Sequence, residues 1–366
     1  MDDIQTDILI GHESAMSLYG RADTTAATIQ TELLHRRLGV ARHAVAGSHS
    51  AERSSDDCLI PDFLVRTLTS EGAISQVRSS CPTLLEHLPI DLVVTHPDAR
   101  LHGDSVRCRL WSGPIPVGGV VKLADHLFLS SPEFLLAQLA RGRSLLELAF
   151  IASGLCGAYC WGDEGLPKRR PLTTIEEISM YLNCIERECE RTAIRRLDGL
   201  TRAVRALAFA IACARSSEEI ACGMLLGLPT RLGGFDLGMP LSNPSIMIPI
   251  ATPEGERLVE RFPDLFWRDR KLIVEYDSDA FHMTGRRRGR DANRVIEFRA
   301  AGFTVMPITT SQLFSYDLLE NAARQIIADT GMPRQLKNFD ANRLRFRPLR
   351  MGTHRLLTGL CHNGLI

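Results

Sequence analysis

The sequence predicts an α/β protein: a mixed sheet flanked by helices in the C-terminal part, an α+β segment at the N-terminus and a helical middle. Three observations predict this. From Ser216 onward the signals come in the order helix, strands, helix, strand, helix. Strand-like runs occur in the first part at Ile90–Thr95, Val106–Trp111, Val117–Leu123 and Leu127–Leu129. Between the two lie capped helical patterns with few strand signals.

In order along the chain, Ile8 to Tyr19 reads as a strand end entering a helix through Gly11-His12-Glu13-Ser14-Ala15. Residues 41–57, rich in Ala, Ser, His and Arg without periodicity, read as a loop. Ser131-Pro132-Glu133 has a hydroxyl cap, Pro in the first helical position and an acid in the first turn. The apolar positions Phe134, Leu135, Leu139, Leu145, Leu148 and Ile151 continue at helical spacing. Thr174-Ile175-Glu176-Glu177 starts a helix running to about Cys189, and Ala203–Ala214 reads as core helix. Ser216-Ser217-Glu218-Glu219 opens a helix to Leu226, with acids at its positive end. Ile246-Met247-Ile248 reads as an edge strand. Arg290–Gly302 reads as a helix closed by a glycine C-cap, Phe303–Ile308 as a strand and Thr310–Ile327 as a final helix. The expected division is residues 1–130 (N-terminal), 131–214 (helical connection), 215–335 (sheet and helices) and 336–366 (basic tail).

Composition fits a soluble globular chain of 366 residues, 45% hydrophobic and 23% charged. Net charge is zero, so attraction to nucleic acid has to come from local patches. Met1-Asp2-Asp3 lacks the basic-then-apolar order of a signal peptide, and no apolar run reaches the roughly 18 residues of a membrane span. A cytoplasmic location without membrane contact is expected. The ten cysteines are scattered without a Cys-x-x-Cys pair, which points to reduced core thiols rather than zinc. His12, His96 and His102 suggest either a second site or, as isolated histidines more often are, ordinary core or surface residues. Nothing in the sequence sets an oligomeric state.

The densest chemistry lies at 263–282. Leu272-Ile273-Val274 is a β-branched-rich run, and Arg268-Asp269-Arg270 before it reads as a turn. With Asp269-Arg270 as the loop, Arg268 faces Lys271 and Asp264 faces Glu275. Alternation puts Glu275 and Asp277 on one face, so three carboxylates meet at a strand end. They repel unless a cation lies between them, and a hard, oxygen-liganded Mg²⁺ (or Mn²⁺) matches such a set.

Pro263-Asp264 followed by Glu275-x-Asp277 resembles the PD-(D/E)XK nuclease signature, with Asp where the common form carries Lys. Phe281-His282, Arg290-Asp291-x-x-Arg294 and Ala301-Gly302-Phe303-Thr304-Val305 make residues 264–313 similar to the very-short-patch-repair-like endonuclease branch. The resemblance implies a restriction-endonuclease-like fold and metal-dependent hydrolysis of DNA. It implies metal ligation by Asp264, Glu275 and Asp277, with His282 as acid or base, since Asp277 has the wrong charge to replace Lys. The family often carries a further acid on the helix before the hairpin; Glu219 fits that role and equally that of a capping carboxylate. Arg286, Arg287, Arg288 and Arg290 read as a loop that either clamps phosphates, with Arg294, or is simply a solvated basic loop; its position after the acids favours the first.

Residues 1–160 weakly resemble abortive-infection type IV antitoxin-like proteins. The resemblance rests on Ile8–Ala15, Val93-Val94-Thr95-His96 and Leu129–Leu136, and it implies a regulatory or DNA-targeting role. Between Arg334 and Arg355, Phe339 and Phe346 alternate with arginines; they either stack on bases or pack on the domain. Two functions remain open: a metal-dependent endonuclease, and a non-catalytic DNA-binding regulator on a degenerate nuclease fold.

Overall fold

The computed structural model describes residues 7–21, 29, 32–33, 69–86, 88–160, 169–195, 197–252, 255–277, 285–330 and 333–362. The loop expected at 41–57 lies outside them. The chain is mixed α/β and divides into two compact units, one of Met1–Leu155 with Cys160–Ala208, the other of Phe209–Leu365 with Cys156–Tyr159. No described helix is long and apolar enough to cross a membrane.

In the N-terminal unit, β1 (Ile8–Ile10) leads into α1 (His12–Gly20), followed by α2 (Ser70–Ser80), β2 (Ile90–Val94), β3 (Val106–Leu110), β4 (Val120–Ala124) and β5 (Leu127–Ser130). The sheet order is β3-β2-β1-β5-β4. Its centre, β1 and β2, is buried along its whole length, which is why both strands read as continuous apolar runs rather than alternating ones. The one charge in those two strands, Asp91, is fully buried. Arg107 Nε and Nη2 bond its two oxygens at 2.6 and 2.9 Å, and Arg109 Nε adds a bond at 3.1 Å. Burial pushes its pKa upward, but the Arg107 and then the Arg109 bonds outweigh this and hold it below the usual carboxylate range.

Among the described residues, four further helices belong to this unit: α3 (Pro132–Leu139), α4 (Leu145–Leu155), α5 (Ile175–Arg191) and α6 (Leu200–Ala206). They cluster with the five-stranded sheet, so the expected boundary at residue 130 falls inside a unit. The single helix expected over Phe134–Ile151 is two, split where Gly142 takes φ +83°. Helix α5 starts as read, with a complete Thr174–Glu177 capping box. The core helix expected over Ala203–Ala214 ends as an α-helix at Ala206.

Gly199 precedes α6 at φ +86°, and a Cβ there would run into the Ala140 backbone carbonyl. Gly199→Ala therefore combines left-handed strain with a backbone clash, and the N-terminal unit should lose about 2–4 kcal/mol in a denaturant titration. A loss under 0.5 kcal/mol would show that the turn relaxes freely.

In the C-terminal unit, α7 (Ser217–Gly227) is followed by β6 (Leu241–Ser242), β7 (Ile246–Thr252), β8 (Gly255–Arg261), β9 (Leu265–Trp267) and β10 (Leu272–Asp277). Then come α8 (Gly285–Ala300), β11 (Thr304–Thr309), α9 (Thr310–Phe314), α10 (Tyr316–Asp329) and α11 (Pro333–His362). The main sheet has the order β11-β10-β9-β6; β9 is antiparallel to β6 and β10, while β11 is parallel to β10 after the α8 crossover. Ile248, Phe266, Ile273, Val305 and Phe298 of α8 form a core cluster. Gly302 at φ +85° ends the α8 turn as its C-cap reading required.

Ile246–Ile248 is an edge strand as expected, in a two-stranded β7–β8 ribbon, while the strand beside β9 is the two-residue β6. Two expectations for this unit are corrected. The final helix is two, α9 and α10, because Thr309 builds its own capping box with Gln312 and Ser315 is extended. The basic tail is helix α11, packed on α7 and α10. Its Phe339 is not free to stack on bases: it is buried, 6.0 Å from the Phe235 ring centroid, with the Arg350 guanidinium over both rings.

Candidate active site

The β9–β10 pairing places the acids. Leu272 pairs with Trp267, Ile273 with Phe266 and Val274 with Leu265, so the next rung sets Asp264 opposite Glu275. The chain turns through Arg268–Arg270, and Lys271 at φ +48° closes it by donating its N–H to the Arg268 carbonyl at 3.1 Å. The expected register is therefore observed, although the turn spans four residues between the last paired ones.

Asp264 is fixed from both sides. Its Oδ2 accepts the Tyr276 N–H at 2.9 Å, and its carbonyl accepts the Ser242 hydroxyl and the Asn243 N–H, both at 3.0 Å. Asn243 then reaches α7, where its Nδ2 donates to Glu219 Oε2 at 2.8 Å; the Arg215 N–H donates to the same oxygen at 2.9 Å. The Ser216 hydroxyl accepts the Glu219 N–H, capping the helix as expected, and the Glu219 carboxylate is buried.

Glu275 lies on β10 with 6% of its surface exposed. Its Oε2 contacts Arg294 Nη2 from α8, and the same nitrogen stands 3.9 Å from Asp264 Oδ1. Glu275 Oε1 and Arg294 Nε are both buried without a hydrogen-bond partner, as is Asn243 Oδ1.

These surroundings shift the acids. Burial, then the Asp264 charge, raises Glu219 to about 7, against the bonds from Arg215 and Asn243. Burial, then Asp264, raises Glu275 to about 8, with Arg294 opposing. Cys222, beneath them, is driven upward by burial and then by Glu219 and Asp264, so it is a thiol and not a thiolate. Asp264, Glu275 and Glu219 are therefore electrostatically one group.

Asp277 is half-buried at the end of β10, its backbone in register with Thr309. His282 lies outside the described residues. Arg286, Arg287, Arg288 and Arg290 lie in the first half of α8, with side chains outside the described set. Arg294, expected on phosphates, instead pairs with the acids. Among the described residues, no group of three or more His, Cys, Asp or Glu side chains is placed to hold a metal ion. His12 belongs to the N-terminal unit, where burial lowers its pKa to about 4.

No family model, curated protein or solved structure matches the chain. The site is therefore read from its own residues. Asn243 escaped the sequence reading, although the turn signal Ser242-Asn243-Pro244 marked it. Arg294 is marked by the motif, but its pairing with Glu275 is not legible from it.

Proposed function

We propose that the C-terminal unit is a restriction-endonuclease-like domain that hydrolyses phosphodiester bonds of DNA with a bound divalent cation. The observation that carries this reading is the burial of Glu275 and Glu219 within the field of Asp264, with Glu275 Oε1 left without a hydrogen-bond partner. An acidic cluster gathered by two strands and a capped helix, at the cost of raised pKa values, is a functional arrangement more than a structural one. The order helix, strands, helix, parallel strand agrees with that fold.

The donor set fits a hard cation: Asp264 and Glu275 would hold it, with the free Glu275 Oε1 and the nearby Asn243 Oδ1 as spare oxygen donors. Such an ion supplies a polarised phosphate and a more acidic water. Glu219, raised to about 7, can take or return a proton near neutral pH, and His282 is proposed as a second acid or base. The arginines of α8 would meet the DNA backbone.

The pairing of Arg294 with Glu275 favours a second reading, a DNA-binding regulator whose acids are permanently neutralised. A cleavage assay on plasmid DNA with Mg²⁺ or Mn²⁺ separates the two. The nuclease reading expects Asp264→Ala to lose at least about a hundredfold in rate. Equal cleavage by wild type and variant, or none with either metal, would sink it.

A further inference from the structure

We propose that Arg294 is an exchangeable internal counter-cation: it occupies the carboxylates in the resting state, and binding of a phosphodiester draws it off so that a divalent ion can load. This rests on the metal-site reading above and adds its regulation.

The argument starts from what the ion pair leaves undone. A guanidinium engages a carboxylate best through two parallel bonds. Arg294 makes one, through Nη2 to Glu275 Oε2, while its Nε and the other Glu275 oxygen are each buried without a partner. At 3.9 Å, its approach to Asp264 Oδ1 is an ion-pair distance beyond hydrogen-bond reach. Buried polar atoms are nearly always bonded, and here donor and acceptor of one pair both go unmet. The carboxylates are therefore better disposed to a small cation than to the fork that neutralises them.

Arg294 can also leave. Its side chain is 32% exposed, against 8% for Glu275 and 13% for Asp264, so the cation has access to water where the acids have little. A phosphodiester offers paired anionic oxygens, the geometry the guanidinium lacks at Glu275. Once Arg294 moves to phosphate, the buried Glu275 carboxylate loses the cation it pairs with, and a divalent ion is the natural replacement. Metal and DNA should then bind with positive coupling, each raising the other's affinity by the same factor.

The test is Mn²⁺ binding to the full chain, measured by calorimetry with and without a short phosphorothioate DNA duplex, for wild type, Arg294→Gln, Arg294→Lys and Asp264→Asn. Wild type should bind Mn²⁺ about tenfold more tightly when the duplex is present, and Arg294→Gln should show that tighter binding without DNA. Arg294→Lys, which keeps the charge, should stay close to wild type without DNA, and it guards against misreading a folding defect in the glutamine variant. If Asp264→Asn abolishes binding while Arg294→Gln and the duplex leave the affinity unchanged, the exchange is overturned and the metal site stands. If wild type and Arg294→Gln both fail to bind Mn²⁺, with or without DNA, the metal reading falls and the exchange falls with it.

Discussion

Replacing Arg343 and Arg347 together with alanine is expected to cost the C-terminal unit about 3–5 kcal/mol, or roughly 10 °C in its thermal midpoint. The reason is Glu320, which is fully buried on α10. Its Oε1 accepts the Tyr316 hydroxyl at 2.7 Å, and its Oε2 accepts Arg343 Nε at 2.7 Å and Arg347 Nη1 at 3.2 Å. Both arginines come from α11 and are about a third or more exposed, so their loss removes counter-charge without opening a large cavity. What remains is a carboxylate cut off from water with a single neutral donor. Adding Glu320→Gln to the double variant should recover most of the loss, because the amide oxygen still accepts from Tyr316 and carries no charge. Differential scanning calorimetry would measure both steps. A loss below 1 kcal/mol in the double variant would mean that Glu320 is hydrated in solution.

The second large effect has the opposite sign. Glu219→Gln should stabilise the C-terminal unit at pH 8 by about 1–3 kcal/mol and change little at pH 5. Glu219 has a pKa near 7 when folded and near 4.5 when free of its surroundings. Between those values the folded chain keeps a proton that the unfolded chain releases, so stability falls as pH rises through this window. Above about 7 the penalty for burying the charge beside Asp264 is complete. Glutamine never ionises and escapes it, while at pH 5 the native carboxyl is already mostly protonated and the two chains are alike. If Glu219 also serves as acid or base, the stabilised variant should cleave DNA more slowly, a gain in stability obtained at the expense of the site. Destabilisation at pH 8 would show that the bonds from Arg215 and Asn243 dominate.

These cases show which parts of the molecule the sequence made legible. The Asp264–Glu275 pairing could be read because strand periodicity and the position of one turn determine it. The inward aim of Glu219 followed from helical spacing, which puts it on one face with Cys222 and Gly223. Arg294 could not be placed that way: its position on a helix says nothing about which acids that helix will lie against. Strand β8 was missed because Gly-Glu-Arg-Leu-Val-Glu-Arg is mostly exposed in its ribbon and lacks the alternation of a half-buried strand. Helix α11 hid behind Pro348, Gly352 and Gly359, which signal breaks; its packing against α7 and α10 overrides those local preferences. Local rules were enough where one element determined the outcome, and they stopped where two elements had to meet.

The short polar bridge through Asn243 has a practical side. Its Nδ2 also lies 3.3 Å from the Cys213 carbonyl, which ties the acids to a surface residue. Among the described cysteines Cys213 alone is exposed, whereas Cys222 is sealed under the carboxylates. A thiol-reactive dye would therefore attach one residue's breadth from the network that holds Glu219, without any engineered handle. The chain carries its own position for an optical reporter, and changes at the acids could be followed by fluorescence in real time.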